Sequence, residues 1–190
     1  MNNTEFLKKY FNELNNLLKT NDDDVKKLIA VSEILKKTSV AGKRTLIFGN
    51  GGSSAIASHF SVDLTKNAKI RTNNFNESDL ITCFSNDFGY ENWVKEALKI
   101  YADKDDLVIL ISSSGESPNI LNACNFCIEN NIELITFTGM DINNSIRSAN
   151  KNGMNFYASS KAYNLIENIH QFWLLYIVDS IIGKSVYSAK

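Results

Sequence analysis

The feature that most constrains this chain is an apolar run, Leu107-Val-Ile-Leu-Ile111, feeding directly into Ser112-Ser-Ser-Gly-Glu-Ser-Pro118. Beyond it, Ile120, Leu121, Cys124 and Ile128 recur at helical spacing, so the segment reads as strand, small-residue loop and helix. Pro118 is the chain's one proline. It falls where the first helical residue belongs, a position that needs no N–H and suits a fixed φ. Ser117 is then the N-cap. Ser112, Ser113 and Ser114 crowd the same turn, and Gly115 lets backbone approach a ligand. Free N–H groups, the positive end of a helix dipole and gathered hydroxyls together suit an anion such as phosphate. The turn has no lysine of the Walker kind. An ordinary serine-rich turn is the competing reading.

A second unit of the same kind comes earlier. Arg44–Phe48 reads as a short buried strand, running into Gly49-Asn-Gly-Gly-Ser-Ser54 and a helix from about Ala55 to Lys66. The loop departs from G-x-G-x-x-G at Ser54, so a nucleotide cofactor is not expected. Two strand–loop–helix units imply a parallel sheet, with ligands at the carboxyl ends of its strands. His59 and Asp63 share a helix face at i, i+4. They suit a shared metal or proton, or simply a surface pair.

The rest of the chain supplies the layers. With 190 residues there is material for one α/β domain. A formal charge of −1 speaks against a nucleic-acid partner bound through a basic face. Three cysteines without metal spacing indicate free thiols in a reducing compartment, and all three read as buried small apolar residues. The first residues lack the pattern of a signal peptide, and the longest apolar run, Phe172–Val178, is too short for a membrane span, so a cytoplasmic location is expected. Residues 1–40 read as two amphipathic helices, broken at Asn21–Asp24. Their apolar faces must cover the domain's own sheet or a partner subunit. Further strands are expected at Ile132–Thr138 and Met154–Ala158, with a short helix and loop over Asp141–Asn152. A long helix follows over Tyr163–Ile182, with Phe172, Trp173 and Tyr176 as core or interface residues, and the tail from Gly183 should fray.

Four ordered motifs carry a resemblance: Gly49-Asn-Gly-Gly-Ser53, Ala57-x-His-Phe60, Ser85-Asn-Asp-Phe-Gly89 and Ile111-Ser-x-Ser-Gly-x-Ser-Pro-Asn119. Together they resemble the sugar isomerase (SIS) domain and, within it, the phosphoheptose isomerases. These interconvert sedoheptulose 7-phosphate and glycero-manno-heptose 7-phosphate, a step toward lipopolysaccharide heptose. The resemblance implies a single SIS domain over 1–190: a three-layer α/β sandwich with a central parallel sheet at 41–190 and an N-terminal helical pair at 1–40. It implies a homotetramer whose active sites lie at subunit interfaces. Asn50, Gly51, Gly52 and Ser53 would meet the sugar, Asn86 and Asp87 would hold its hydroxyls, and Ser112, Ser113, Ser114 and Ser117 its phosphate. It also implies that Asp79–Phe84, a strand by composition, is a helix, with the strand before it near Lys69–Thr72.

The sequence departs from the family where the chemistry lies. Aldose–ketose isomerisation needs a base at carbon and an acid at the carbonyl oxygen. The family's base glutamate falls at Asp63, one methylene shorter. The family's Gln-Glu-x-His segment falls at Ile166-Glu-Asn-Ile-His170, which puts Glu167 at the glutamine. The acid histidine, a zinc ligand in some members, falls at Leu175. His170 points about 140° away from position 175 on the helix. Two readings follow. One is an isomerase with Asp63 as base and Glu167 as acid, base or ligand, in which His59, Asp63 and Glu167 form an oxygen-rich site acceptable to zinc or manganese. The other is a phosphosugar-binding protein without catalysis, resembling the DnaA initiator-associating protein.

Overall fold

The computed structural model describes residues 2–19 and 22–187. Asn21, at the expected break between the first two helices, and the last residues of the tail lie outside them. Five strands form one parallel sheet in the order β2-β1-β3-β4-β5. They are β1 (Thr45–Gly49), β2 (Thr72–Asn74), β3 (Leu107–Ser112), β4 (Glu133–Gly139) and β5 (Met154–Ala158). The helices are α1 (Asn3–Leu17), α2 (Asp22–Val40), α3 (Gly51–Lys66), α4 (Ser78–Phe88), α5 (Trp93–Tyr101), α6 (Pro118–Glu129), α7 (Ser145–Ala149) and α8 (Tyr163–Ile182).

The central strands are buried on both faces, which is why they read as continuous apolar runs. Their side chains still alternate. Ile47, Ile109, Ile111, Ile135 and Phe137 face a core completed by α2, α3 and α8. Leu46, Phe48, Val108, Leu110 and Leu134 face a second core with α5, α6 and α7. The three-layer sandwich expected from the sequence is therefore present.

Differences from the sequence reading have local causes. Residues 79–84 lie within the helix α4 and the preceding strand is β2. The compositional strand reading is thus overturned and the family-based one holds. A run this short satisfies either period, and α4 places its apolar side chains Leu80, Ile81 and Phe84 on the second core at helical spacing. Cys124 and Cys127 are buried, but Cys83 is exposed, because it faces outward on α4. Burial pushes the Cys124 thiol up to about 11. The two N-terminal helices have different fates. Leu28, Val31 and Leu35 of α2 enter the first core. No residue of α1 is buried, and it presents Phe6, Leu7 and Phe11 outward. Among the described residues no helix is long and apolar enough to cross a membrane.

Candidate active site

Strands β1 and β3 pair in register from Thr45 with Leu107 to Gly49 with Ile111. Their loops consequently leave the sheet side by side at its carboxyl edge. The chain then diverges, with α3 covering one face and α6 the other. This is the switch point of an open α/β sheet, where ligands bind. Both helix N-termini converge there. Neither N-cap, Asn50 or Ser117, bonds its own helix through its side chain, which leaves first-turn N–H groups for a ligand. Pro118 occupies the first turn of α6, as its chemistry requires.

The cap side chains are committed elsewhere. Asn50 Nδ2 donates to Asn119 Oδ1, and Asn119 Nδ2 donates back to Asn50 Oδ1, each at 2.9 Å. The Tyr90 hydroxyl donates to the same Asn50 oxygen at 3.2 Å. This amide pair clamps the two loops together. Ser53 and Ser113 hydroxyls lie 3.3 Å apart, and Ser112 Oγ donates to Ser117 Oγ at 3.2 Å. Gly115, at φ +69°, closes the turn, and its backbone N–H donates to Ser112 Oγ at 3.2 Å. A side chain at Gly115 would overlap that of Asn144. The result is a cradle of about 100 Å³ whose polar wall is Asn50, Ser53, Ser112, Ser113, Ser114 and Ser117, with Tyr163 and Glu167. Among the described residues no lysine or arginine lines it. An anion there would be balanced by helix ends and hydroxyls.

Glu167 also lines a second cavity of about 380 Å³, a groove between α3 and α8. Gly52, His59, Asn164, Asn168 and Gln171 share that groove. The Glu167 carboxylate stands over Gly52, where a Cβ would overlap it. The absent side chain at Gly52 is what lets a carboxylate approach the first turn of α3. Further along α3, His59 Nε2 lies 3.4 Å from Asp63 Oδ2. On its other side, His59 Nδ1 lies 3.2 Å from Gln171 Nε2. Asn67 Nδ2 donates to Asp63 Oδ1 at 3.1 Å.

The expected metal set is not gathered. Among the described residues no three His, Cys, Asp or Glu side chains stand close enough to hold an ion. The reason is geometric. Both ring nitrogens of His59 and both oxygens of Asp63 already have protein partners. Gly52, beneath Glu167, is about 10 Å along the α3 axis from His59. His59, Asp63 and Glu167 therefore do not fit a zinc or manganese centre. Asp63 also lines neither the cradle nor the groove, in contrast to its expected place at the reacting carbon. It stands behind His59.

Gly52, Ser53, Asn50, Glu167 and the four serines are thus brought together, while Asn86 and Asp87 are not. Those two sit exposed near the end of α4, where Asn86 Nδ2 donates to Asp87 Oδ1 at 3.0 Å. Gly51 is exposed, at φ +52°, at the start of α3. His170 is wholly buried, its Nε2 donating to the Thr138 carbonyl at 3.0 Å. Loss of hydration outweighs that bond and lowers its pKa to about 4. His170 is a core residue, on the α8 face turned from the groove. The sequence reading missed Asn119, Tyr90, Tyr163 and Gln171. Asn119 was visible as the first polar residue after the proline that starts α6. Gln171 was visible one helical turn beyond Glu167.

The sequence matches the SIS domain profile over residues 9–139, more than half of the chain. The chain belongs to the SIS domain family. It is similar to the phosphoheptose isomerase of Aliarcobacter butzleri, 34% identical over 116 residues that cover 58% of this chain and 61% of that protein. Similarity to the phosphoheptose isomerase of Fusobacterium nucleatum subsp. nucleatum is 26% over 185 residues, covering 93% of this chain and 88% of that protein. The fold matches the structure of phosphoheptose isomerase GmhA from Neisseria gonorrhoeae with a TM-score of 0.84 at 20% identity, covering 94% of this chain and 98% of that one. The SIS profile ends at Gly139. Both cradle loops lie inside the matched stretch, and the α8 wall with Glu167 and Gln171 lies beyond it.

Proposed function

We propose that the chain is a phosphosugar aldose–ketose isomerase that converts sedoheptulose 7-phosphate to glycero-manno-heptose 7-phosphate. The reading is supported by similarity to phosphoheptose isomerases along most of the chain. The observation that carries it is the position of Glu167, whose side chain lines both the serine cradle and the α3–α8 groove. A sugar with its terminal phosphate in the cradle runs along the groove past this carboxylate. Glu167 moves the proton between the adjacent carbons through the enediol. The Nε2–H of His59, in loose 3.4 Å contact with Asp63, serves the carbonyl oxygen by turning from that carboxylate to the substrate. Asn86 and Asp87 hold sugar hydroxyls only if another subunit presents them. This agrees with a cytoplasmic homotetramer, for which the exposed apolar stripe of α1 offers contact area.

The test is incubation with sedoheptulose 7-phosphate in deuterium oxide, following aldose formation and deuterium uptake, with Glu167→Gln beside the native chain. Turnover lost in the variant supports the reading. Leu175 at the family's acid position and the withdrawal of Asp63 favour a second reading, a pocket that binds sugar phosphate without chemistry. Thermal stabilisation by the sugar with neither turnover nor deuterium uptake would select it.

A further inference from the structure

We infer that Gln171 is a positioning residue of this site, holding His59 against Asp63 where a metal-dependent site would use an ion. The inference rests on the isomerase reading and adds a residue to it. An ionised carboxylate only accepts, so the His59 nitrogen facing Asp63 is the one that carries the proton. Nδ1 of the neutral ring is then an acceptor, and Gln171 Nε2 is the donor at 3.2 Å. On the far side Asp63 is fixed by Asn67. The resulting row, Gln171 to His59 and Asn67 to Asp63, crosses from α8 to α3, and the 3.4 Å contact between His59 and Asp63 is its loose link. Its donors are protein N–H groups. Gln171 stands one turn after Glu167 on the same helix face, and Leu175 stands one turn further. The polar part of the α8 wall thus ends at Gln171, level with His59. A donor on Nδ1 keeps the ring proton on Nε2, the nitrogen that serves the carbonyl oxygen, and sets the ring plane relative to Glu167, which is the geometric demand of a two-group proton transfer.

The experiment is imidazole nitrogen NMR on the full chain at one neutral pH, joined to kinetics with sedoheptulose 7-phosphate. The chain has two histidines, so two ring systems appear, and His59→Gln assigns them. In the native chain the His59 Nδ1 resonance is that of a hydrogen-bonded, unprotonated nitrogen. Gln171→Leu moves it to the position of an unbonded lone pair. In the Leu variant kcat falls roughly two- to tenfold, the range of one neutral hydrogen bond, while KM holds. Gln171→Ala repeats the test with a side chain that adds no bulk. An unmoved Nδ1 resonance in both Leu and Ala variants overturns the inference. So does an unchanged kcat despite the shift, or stoichiometric zinc that displaces the His59 resonances of the native chain. Absence of turnover in the native chain overturns the isomerase reading and with it the kinetic role of Gln171. The resonance data then separately establish whether the Gln171–His59 bond exists.

Discussion

The cradle and the groove meet at Glu167 but are built by different means. The cradle is backbone N–H groups and short hydroxyls on two loops, held by strand register and by one pair of asparagines. The groove is built mostly of longer side chains on two helices, with His59 on α3 and Glu167, Asn168 and Gln171 on α8. Short groups on register-locked loops have little freedom to be elsewhere, so binding chemistry there follows from local sequence. Long side chains on facing helices settle by mutual contact.

If the groove carries turnover and the cradle carries binding, substitutions in the two will separate kcat from KM. The largest effect belongs to Glu167. Replacing it with glutamine keeps its shape and removes its proton chemistry, so kcat should fall by about 10²- to 10⁴-fold with little change in KM. Steady-state kinetics on sedoheptulose 7-phosphate measures this. A rise in KM with kcat intact would make Glu167 a binding group and erase the contrast.

The groove wall should also come loose with acid. His170 ties α8 to β4 through the Thr138 carbonyl, and its pKa falls from 6.5 to about 4 on folding because burial disfavours the cation. Between those values the unfolded chain binds a proton that the folded chain does not, so stability falls as pH drops from about 6.5 to about 4 and then levels off. The span corresponds to about 3 kcal/mol. Thermal melts across that window should show this slope in the native chain and lose its His170 share in His170→Gln.

Substitutions in the cradle should behave in the opposite sense to those of Glu167. Ser117→Ala removes one hydroxyl that suits a phosphate oxygen, and a hydrogen bond to a charged group is worth about 1.5–3 kcal/mol. KM for the sugar phosphate should rise roughly 10- to 100-fold while kcat stays near native. Inorganic phosphate as a competitive inhibitor should weaken in parallel. A drop in kcat at constant KM would show that the serines act on chemistry as well as on binding.

The same contrast explains what was legible in the sequence. Strands β3 and β5, helix α8 and the proline start of α6 follow from apolar runs and turn chemistry. The serine cradle follows from them, because register brings Ser53 and Ser113 together once the two strands are neighbours. Spacing puts Asp63 on a face with His59, as the structure has it, but says nothing of Asn67, which takes its second oxygen. The same limit applies to the expected metal set: residue type names three candidate ligands and is silent on the partners that His59 and Asp63 already have. Gln171 went unnoticed since its partner, His59, lies on a helix far away in sequence. Residues 79–84 needed the family resemblance, since a short apolar run fits strand and helix equally.

The smallest effect on the fold, and the sharpest division between the two regions, belongs to Gly52. It lies in the first turn of α3, and its missing side chain is the space that the Glu167 carboxylate occupies. The overlapping atoms are the end of a flexible side chain, so the fold can yield by turning Glu167 aside. Its φ lies outside the left-handed region, unlike that of Gly51. Alanine is a better helix former than glycine by up to about 1 kcal/mol, which offsets the displacement. Gly52→Ala should therefore leave thermal stability unchanged or slightly higher. It should nonetheless lower kcat, because Glu167 is pushed off its place between cradle and groove and a shift of about 1 Å costs on the order of a hundredfold. Gly49 provides the control. A side chain there meets the backbone of Ser53, which cannot turn aside, so Gly49→Ala should lose stability as well as activity. A Gly52→Ala protein that melts early would mean that Glu167 is locked in place by the fold. One that keeps full turnover would mean that the carboxylate's place over α3 is incidental to the reaction.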